Sequence, residues 1–154
     1  MIDETPIISV VMPCYNAEAH LEQSLNSLKI QTYSNWELIA VNDGSKDATW
    51  ELLERAALSD RRIHALNQKN TGAAKARNHG LSKARGEYIA FLDADDTWHP
   101  NFLSKMLGQL DKHQNIGIAY CGWQNIGLPG GQGEPYIPPE YETDDKLEVL
   151  LRDC

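Results

Sequence analysis

Five short apolar runs alternate with stretches of helical spacing, and that alternation leaves the chain few folds to choose from. The runs are "IISVVM" (7–12), "WELIAVN" (36–42), "RIHAL" (62–66), "YIAFL" (88–92) and "IGIAYCGW" (116–123). Their brevity and content of β-branched and aromatic residues mark them as buried strands. Between them, Leu21, Leu25 and Leu28 recur at helical spacing, and residues 48–58 set Leu52, Leu53 and Ala56 on one face. Residues 72–84 form a helix of small residues that Gly86 ends, and Leu103, Met106, Leu107 and Leu110 mark a fourth helix. Asn16 is placed to cap the first helix, Ser45 or Asp47 the second, and Asp96 or Thr97 the fourth. Strand–helix alternation of this kind predicts an α/β fold, a mostly parallel sheet with helices on both faces.

Such sheets bind ligands beyond the carboxyl ends of their strands. Pro13 to Asn16, Asp43 to Ser45 and Asp93 to Asp96 all follow expected strands, so three polar clusters converge on one rim. The last of them is the most loaded: in "YIAFLDADDT" a buried run meets Asp93, Asp95 and Asp96. Carboxylates crowded at the end of a buried strand are costly unless a cation offsets them. Asp93 and Asp95, two residues apart where a strand turns into a loop, can aim oxygens at Mg²⁺ or Mn²⁺, with Asp93 beside a bound ligand. The same residues also read as an ordinary helix start with Asp95 in a turn.

Asp43 suits a hydrogen bond to a nucleotide's base or ribose, and equally an ordinary turn. The loop after the first strand, "PCYNAE", has no GxGxxG and offers Tyr15 and Asn16 instead, which disfavours the usual dinucleotide fold. In "NTGAAKARNHG", small residues let the helix approach a ligand or the sheet closely. Arg77 there supplies forked donors for a base carbonyl, a phosphate or Asp93.

Size and charge narrow the rest. At 154 residues the chain is one domain or part of one. Fourteen Lys and Arg against 22 Asp and Glu give a net charge of −8. Taken whole, an acidic chain attracts neither nucleic acid nor an anionic membrane, which leaves room only for a local anion site. Cys14, Cys121 and Cys154 have no metal-ligand spacing, and the five histidines form no HxxxH or HExxH pattern. With no signal peptide or long apolar span, the expected location is the cytoplasm, at the inner face of the membrane if a longer protein carries an anchor. The Gly/Pro-rich stretch 124–143 reads as a loop, and 144–154 as the start of a helix that is cut rather than ended.

Three stretches together carry a family resemblance: "ISVVMPCYNAEAHLEQSLNSLKIQTYSNWELIAVNDGSKDAT", "NTGAAKARNHGL" and "GEYIAFLDADDTWHPNFL". In order and spacing they resemble the family 2 inverting glycosyltransferases, whose fold is the Rossmann-like GT-A fold. The likeness runs from residue 6 to about residue 123, the nucleotide-sugar-binding part of such a domain. It implies that Pro13 and Tyr15 line a nucleobase pocket, with Tyr15 stacking on the base and Asn16 beside it. It implies that Asp43 accepts from the base ring, and that Arg77 reaches the base or its neighbouring carboxylate. Asp93 and Ala94 would hold the ribose side. Asp95, with Asp93, would bind a Mn²⁺ or Mg²⁺ ion that bridges the diphosphate.

The implied reaction transfers a sugar, with inversion, from a nucleoside-diphosphate sugar to a saccharide or lipid-linked acceptor. A uridine diphosphate donor is favoured, and polysaccharide assembly is the setting. The implied catalytic base belongs to a second half that nothing after residue 123 resembles. The chain therefore reads as a truncated, donor-binding half with little or no transfer activity of its own. Three other readings remain. One is a nucleotide-binding module without catalysis. Another is a phosphohydrolase, since "FLDADDT" also fits hhhDxDxT. The last, a sugar nucleotidyltransferase, would want a glycine-rich basic loop where "PCYNAE" stands.

Overall fold

The computed structural model of the protein describes residues 5–112, 117–126 and 133–137. Within them four strands alternate with four helices in chain order: β1 (Ile8–Cys14), α1 (Leu21–Lys29), β2 (Trp36–Asp43), α2 (Thr49–Ser59), β3 (Ile63–Gln68), α3 (Ala73–Leu81), β4 (Tyr88–Phe91) and α4 (Phe102–Lys112). The strands form one parallel sheet in the order β3-β2-β1-β4. From β1 the chain steps outward to β2 and β3, then crosses to the far side of β1 for β4. The order reverses between β1 and β4, and an open parallel sheet leaves a crevice at such a point.

Side-chain alternation sorts the strands into two faces. Val10 and Met12 of β1 and Leu38 and Ala40 of β2 join Leu21, Leu25 and Leu28 of α1, Leu53 of α2 and Leu103 of α4 in the larger core. Ile39 and Val41 point the other way, onto Ala76 of α3. Gly80 permits that second packing, because a Cβ there would stand 2.6 Å from Cγ1 of Val11. Helices thus cover both faces, as the alternation predicts.

Below the rim, at the amino ends of the strands, the buried Glu37 carboxylate holds the turn after α3. It accepts from Ser9 Oγ at 2.7 Å, from the Arg85 amide at 2.9 Å and from Arg85 Nη2 at 2.8 Å. Burial pushes its pKa up, but these donors and the guanidinium charge outweigh burial and leave it below the usual range.

Several local expectations are corrected. Asn16 does not cap α1, whose first residue is Leu21 and which has no side-chain cap. Neither Asp96 nor Thr97 caps α4, which starts at Phe102, six residues past Asp96. The Leu103 amide is met instead by Gln31 Oε1 at 3.0 Å, and the Asn101 amide by His99 Nδ1 at 3.2 Å. Neither Ser45 nor Asp47 is the cap of α2, a position Ala48 holds without a side-chain cap hydrogen bond, although Asp47 just before it accepts from the Thr49 amide at 3.1 Å. The helix expected over 72–84 ends at Leu81, and Gly86 serves close packing, since a Cβ there would lie 2.5 Å from the Ser9 amide nitrogen.

The chain divides into two units, Met1–Leu107 and Gly108–Cys154. In the second, residues 117–122 form no strand, against the expectation for 116–123. Ile118 is 80% exposed, so neither a ladder nor a core holds the apolar run. Trp123 pairs with Tyr136 in an isolated antiparallel bridge, their rings stacked at 5.5 Å. The expected start of a helix at 144–154 lies outside the described residues.

Candidate functional site

The carboxyl ends of β1, β2 and β4 open onto one cavity of about 480 Å³. All eight residues singled out from the sequence line it: Pro13, Tyr15, Asn16, Asp43, Arg77, Asp93, Ala94 and Asp95. Cys14, Ala17, His20, Asn70, Gly72 and Ala73 complete the wall.

Two loops form one side as a single piece. The loop after β1 and the loop after β2 exchange five hydrogen bonds. The Asn16 amide donates to Ser45 Oγ (3.0 Å) and Asn16 Oδ1 accepts from the Lys46 amide (2.9 Å). The Ala17 amide donates to Thr49 Oγ1 (2.8 Å), the Glu18 amide to Asp47 Oδ2 (3.1 Å), and Glu18 Oε2 accepts from the Ala48 amide (3.1 Å). Asn16 takes a left-handed backbone, φ 49°, a conformation that Asn tolerates better than most residues. Its role is to latch the loops. The latch leaves the Tyr15 ring half-exposed at the cavity wall, 49% accessible.

Asp43 sits at the back, only 2% exposed. Its Oδ1 accepts from Gln68 Nε2 (2.8 Å) and the Thr71 amide (2.9 Å), and its Oδ2 from the Gly72 amide (2.8 Å). Burial raises its pKa, and the donors from Gln68, Thr71 and Gly72 more than reverse that, so it stays ionised. Gly72 has φ 93°, which glycine adopts without strain, and this turns its amide onto the carboxylate. A carboxylate has about four acceptor positions. Oδ1 is filled by Gln68 and Thr71, whose hydroxyl also lies 3.5 Å away, and Oδ2 is met once, so one position on Oδ2 remains.

The acidic rim is offset in part by Arg77, whose Nη2 meets Asp93 Oδ1 at 2.5 Å. One of the guanidinium's five N–H donors is used there, which leaves others for a ligand. Asp95 and Asp96 are exposed. Partial desolvation by the turn around it, then the charges of Asp95 and Asp93, push the Asp96 carboxyl up. The turn carrying these acids is tied to α1 by Ser24, whose hydroxyl lies 2.8 Å from the Ala94 carbonyl and 2.7 Å from that of Asp96. Sequence reasoning passed over Ser24. The available signal was a polar residue on the Leu21/Leu25/Leu28 face, where only a bonded hydroxyl can be buried. Cys14 is wall rather than nucleophile: burial, helped by Asp93, pushes its thiol up to about 12.

No group of three metal-ligating side chains exists among the described residues. Asp93 and Asp95 fit a hard cation only as part of a shell that phosphate oxygens and water complete, which is how Mg²⁺-like ions are usually held.

The sequence model of glycosyl transferase family 2 matches residues 9–150. The chain belongs to that family. Among family relatives, a UDP-Glc:α-D-GlcNAc-diphosphoundecaprenol β-1,3-glucosyltransferase, WfgD of Escherichia coli, is 39% identical over 96% of this chain and 56% of its own length. Glycosyltransferase GlyA of Streptococcus pneumoniae is 37% identical over 93% of this chain and 21% of its own. The chain spans 62%, 40% and 56% of the lengths of three curated relatives. The fold matches S. aureus TarS 1–349 in complex with UDP-GlcNAc, with a TM-score of 0.62 and 27% identity over 73% of this chain and 37% of that one. It also matches mannosyltransferase PcManGT of Pyrobaculum calidifontis in complex with GDP-Man and Mn²⁺, with a TM-score of 0.61 and 25% identity over 78% of this chain and 35% of that one. The sheet is thus the GT-A fold expected of the family, and the phosphohydrolase pattern in "FLDADDT" is set aside by the match.

Proposed function

We propose that this chain is the donor-binding part of a glycosyltransferase that takes a sugar from a nucleoside diphosphate, a uridine diphosphate sugar by preference, and passes it with inversion to a saccharide or lipid-linked acceptor hydroxyl. The observation that carries the reading is the convergence of Tyr15, Asp43, Arg77, Asp93 and Asp95 on one cavity at the switch point of the sheet. TarS with UDP-GlcNAc and the WfgD relative support a uridine nucleotide and a lipid-linked acceptor.

In this reading the base slides along the Tyr15 ring and meets the open position on Asp43 Oδ2 with a ring N–H. Arg77 orients Asp93 toward the ribose while its remaining donors reach the base or a phosphate. The Ala94 backbone borders the ribose. Asp95, with Asp93, would hold a divalent cation. The cation would stabilise the negative charge that grows on the diphosphate as the glycosidic bond breaks. Inversion needs one base to take the acceptor proton. None is assigned here, and transfer by this chain alone is expected to be slight.

Calorimetry separates the donor classes. Uridine diphosphate should bind at least about tenfold more tightly than guanosine diphosphate, a difference of about 1.4 kcal/mol. Equal or reversed preference would overturn the uridine assignment.

A further inference from the structure

Behind the cavity wall, side chains from β2, β3 and α3 join end to end. β2 and β3 finish side by side, with Asp43 paired to Gln68 in the register. Ile39, Val41 and Asp43 alternate onto the sheet face that α3 covers, and Leu66 and Gln68 of β3 follow the same alternation. Gln68 Nε2 donates to Asp43 Oδ1 at 2.8 Å and to Thr71 Oγ1 at 2.9 Å. Gln68 Oε1 lies 2.7 Å from Nδ1 of His79, in α3. Gln68 and His79 are half-buried, and neither lines the cavity. Whatever they do for a ligand, they do through Asp43.

The chemistry of these groups fixes where the hydrogens lie. Asp43 is ionised and can only accept, so the Gln68 amide nitrogen faces it. The amide oxygen is then left toward His79. A carbonyl oxygen accepts and never donates, so His79 Nδ1 carries a hydrogen. His79 thereby decides which way Gln68 points. Turned over, Gln68 would set its oxygen against Asp43 Oδ1. Two acceptors share no hydrogen bond unless one of them gains a proton. The open position on Asp43 Oδ2 would then stop being a dependable acceptor.

We propose that His79 and Gln68 are positioning residues that hold Asp43 as an acceptor, so that the cavity selects a nucleobase with a ring N–H over one with a bare ring nitrogen. Uracil and guanine bring such a hydrogen. Cytosine and adenine present a lone pair at the corresponding ring position. A lone pair set against a buried carboxylate leaves both groups unpaired, and a site built for a donor rejects its isostere in this way. Cytosine is the stringent comparison, because it matches uracil in ring size and keeps the 2-carbonyl. The base selection rests on the proposed donor site; the hydrogen on His79 Nδ1 does not.

Two measurements on the full chain test the proposal. Long-range ¹H–¹⁵N NMR of the nucleotide-free chain reads which ring nitrogen of His79 carries hydrogen. Nδ1 should carry one, and a bare Nδ1 would overturn the proposal. Calorimetry in the presence of Mn²⁺ then compares uridine diphosphate with cytidine diphosphate. The native chain should bind the uridine nucleotide at least about tenfold more tightly. His79→Asp puts an acceptor where the donor stood and should turn Gln68 over, which brings that ratio to about twofold or less. His79→Asn can place an amide N–H near the former Nδ1 and should restore the native ratio, which a mere loss of packing would not allow. An unchanged ratio in His79→Asp, equal loss in both variants, or a native ratio near one would each overturn the proposal. Binding of neither nucleotide to the native chain is a different failure, that of the donor site. It takes the base selection with it, and the His79 ring then decides the hydrogen-bonded chain alone.

Discussion

Asn16 shows how much one residue can do without touching chemistry. Its left-handed backbone and its Oδ1 together close the loop latch. Asn16→Gly keeps the backbone freedom and loses the acceptor. Asn16→Ala loses the acceptor and strains the backbone as well. Urea unfolding should therefore show a loss of about 1 kcal/mol for Gly and about 2 kcal/mol for Ala. Asp43 makes a pH prediction. Its folded pKa lies below the ordinary carboxylate value of 3.8, so the ionised group contributes stability above that value. The contribution is lost as pH falls through the lowered pKa. Asp43→Asn should remove that part of the acid limb in a pH series of unfolding midpoints. Which side chains would face the cavity was legible from the sequence, because strand ends are local patterns and the rim rule does the rest. That Asn16 latches rather than caps was not, because its partners Ser45 and Lys46 stand 29 and 30 residues away.

At the level of elements, the sheet is held by contacts that small changes can break. Gly80→Ala puts a methyl 2.6 Å from Val11 Cγ1, and such overpacking costs about 1–3 kcal/mol. The test is the shift in denaturant midpoint. Glu37→Gln weakens the charge-assisted hydrogen bonds to Arg85, whose guanidinium stays half in solvent, and should cost about 1.5 kcal/mol by the same measurement. Four strands and four helices could be read from apolar runs and helical spacing, since β2 is buried at every position and α1 buries Leu21, Leu25 and Leu28 along one face. Element ends were read less well. Gln31 caps α4 from 72 residues away, a pairing that only the fold creates. The apolar run at 116–123 has a strand's composition, but a strand also needs a partner, and no sequence window reports one.

For the whole molecule, net charge misleads and charge placement informs. A value of −8 describes the chain as acidic, while β3 and α3 together carry cations and no acid at all. The cavity is the other property of the whole. It exists because β1, β2 and β4 end together and because Ser24 and Gly72 fix the turns around it. In the proposed binding mode Asp95 supplies the protein's carboxylate to a cation on the donor diphosphate. The decisive measurement is titration of uridine diphosphate into the chain, with and without Mn²⁺ and repeated on Asp95→Ala. Binding that Mn²⁺ strengthens about tenfold or more in the native chain, and does not strengthen in Asp95→Ala, is expected. Binding that ignores Mn²⁺, or a Mn²⁺ effect that survives Asp95→Ala, would contradict it.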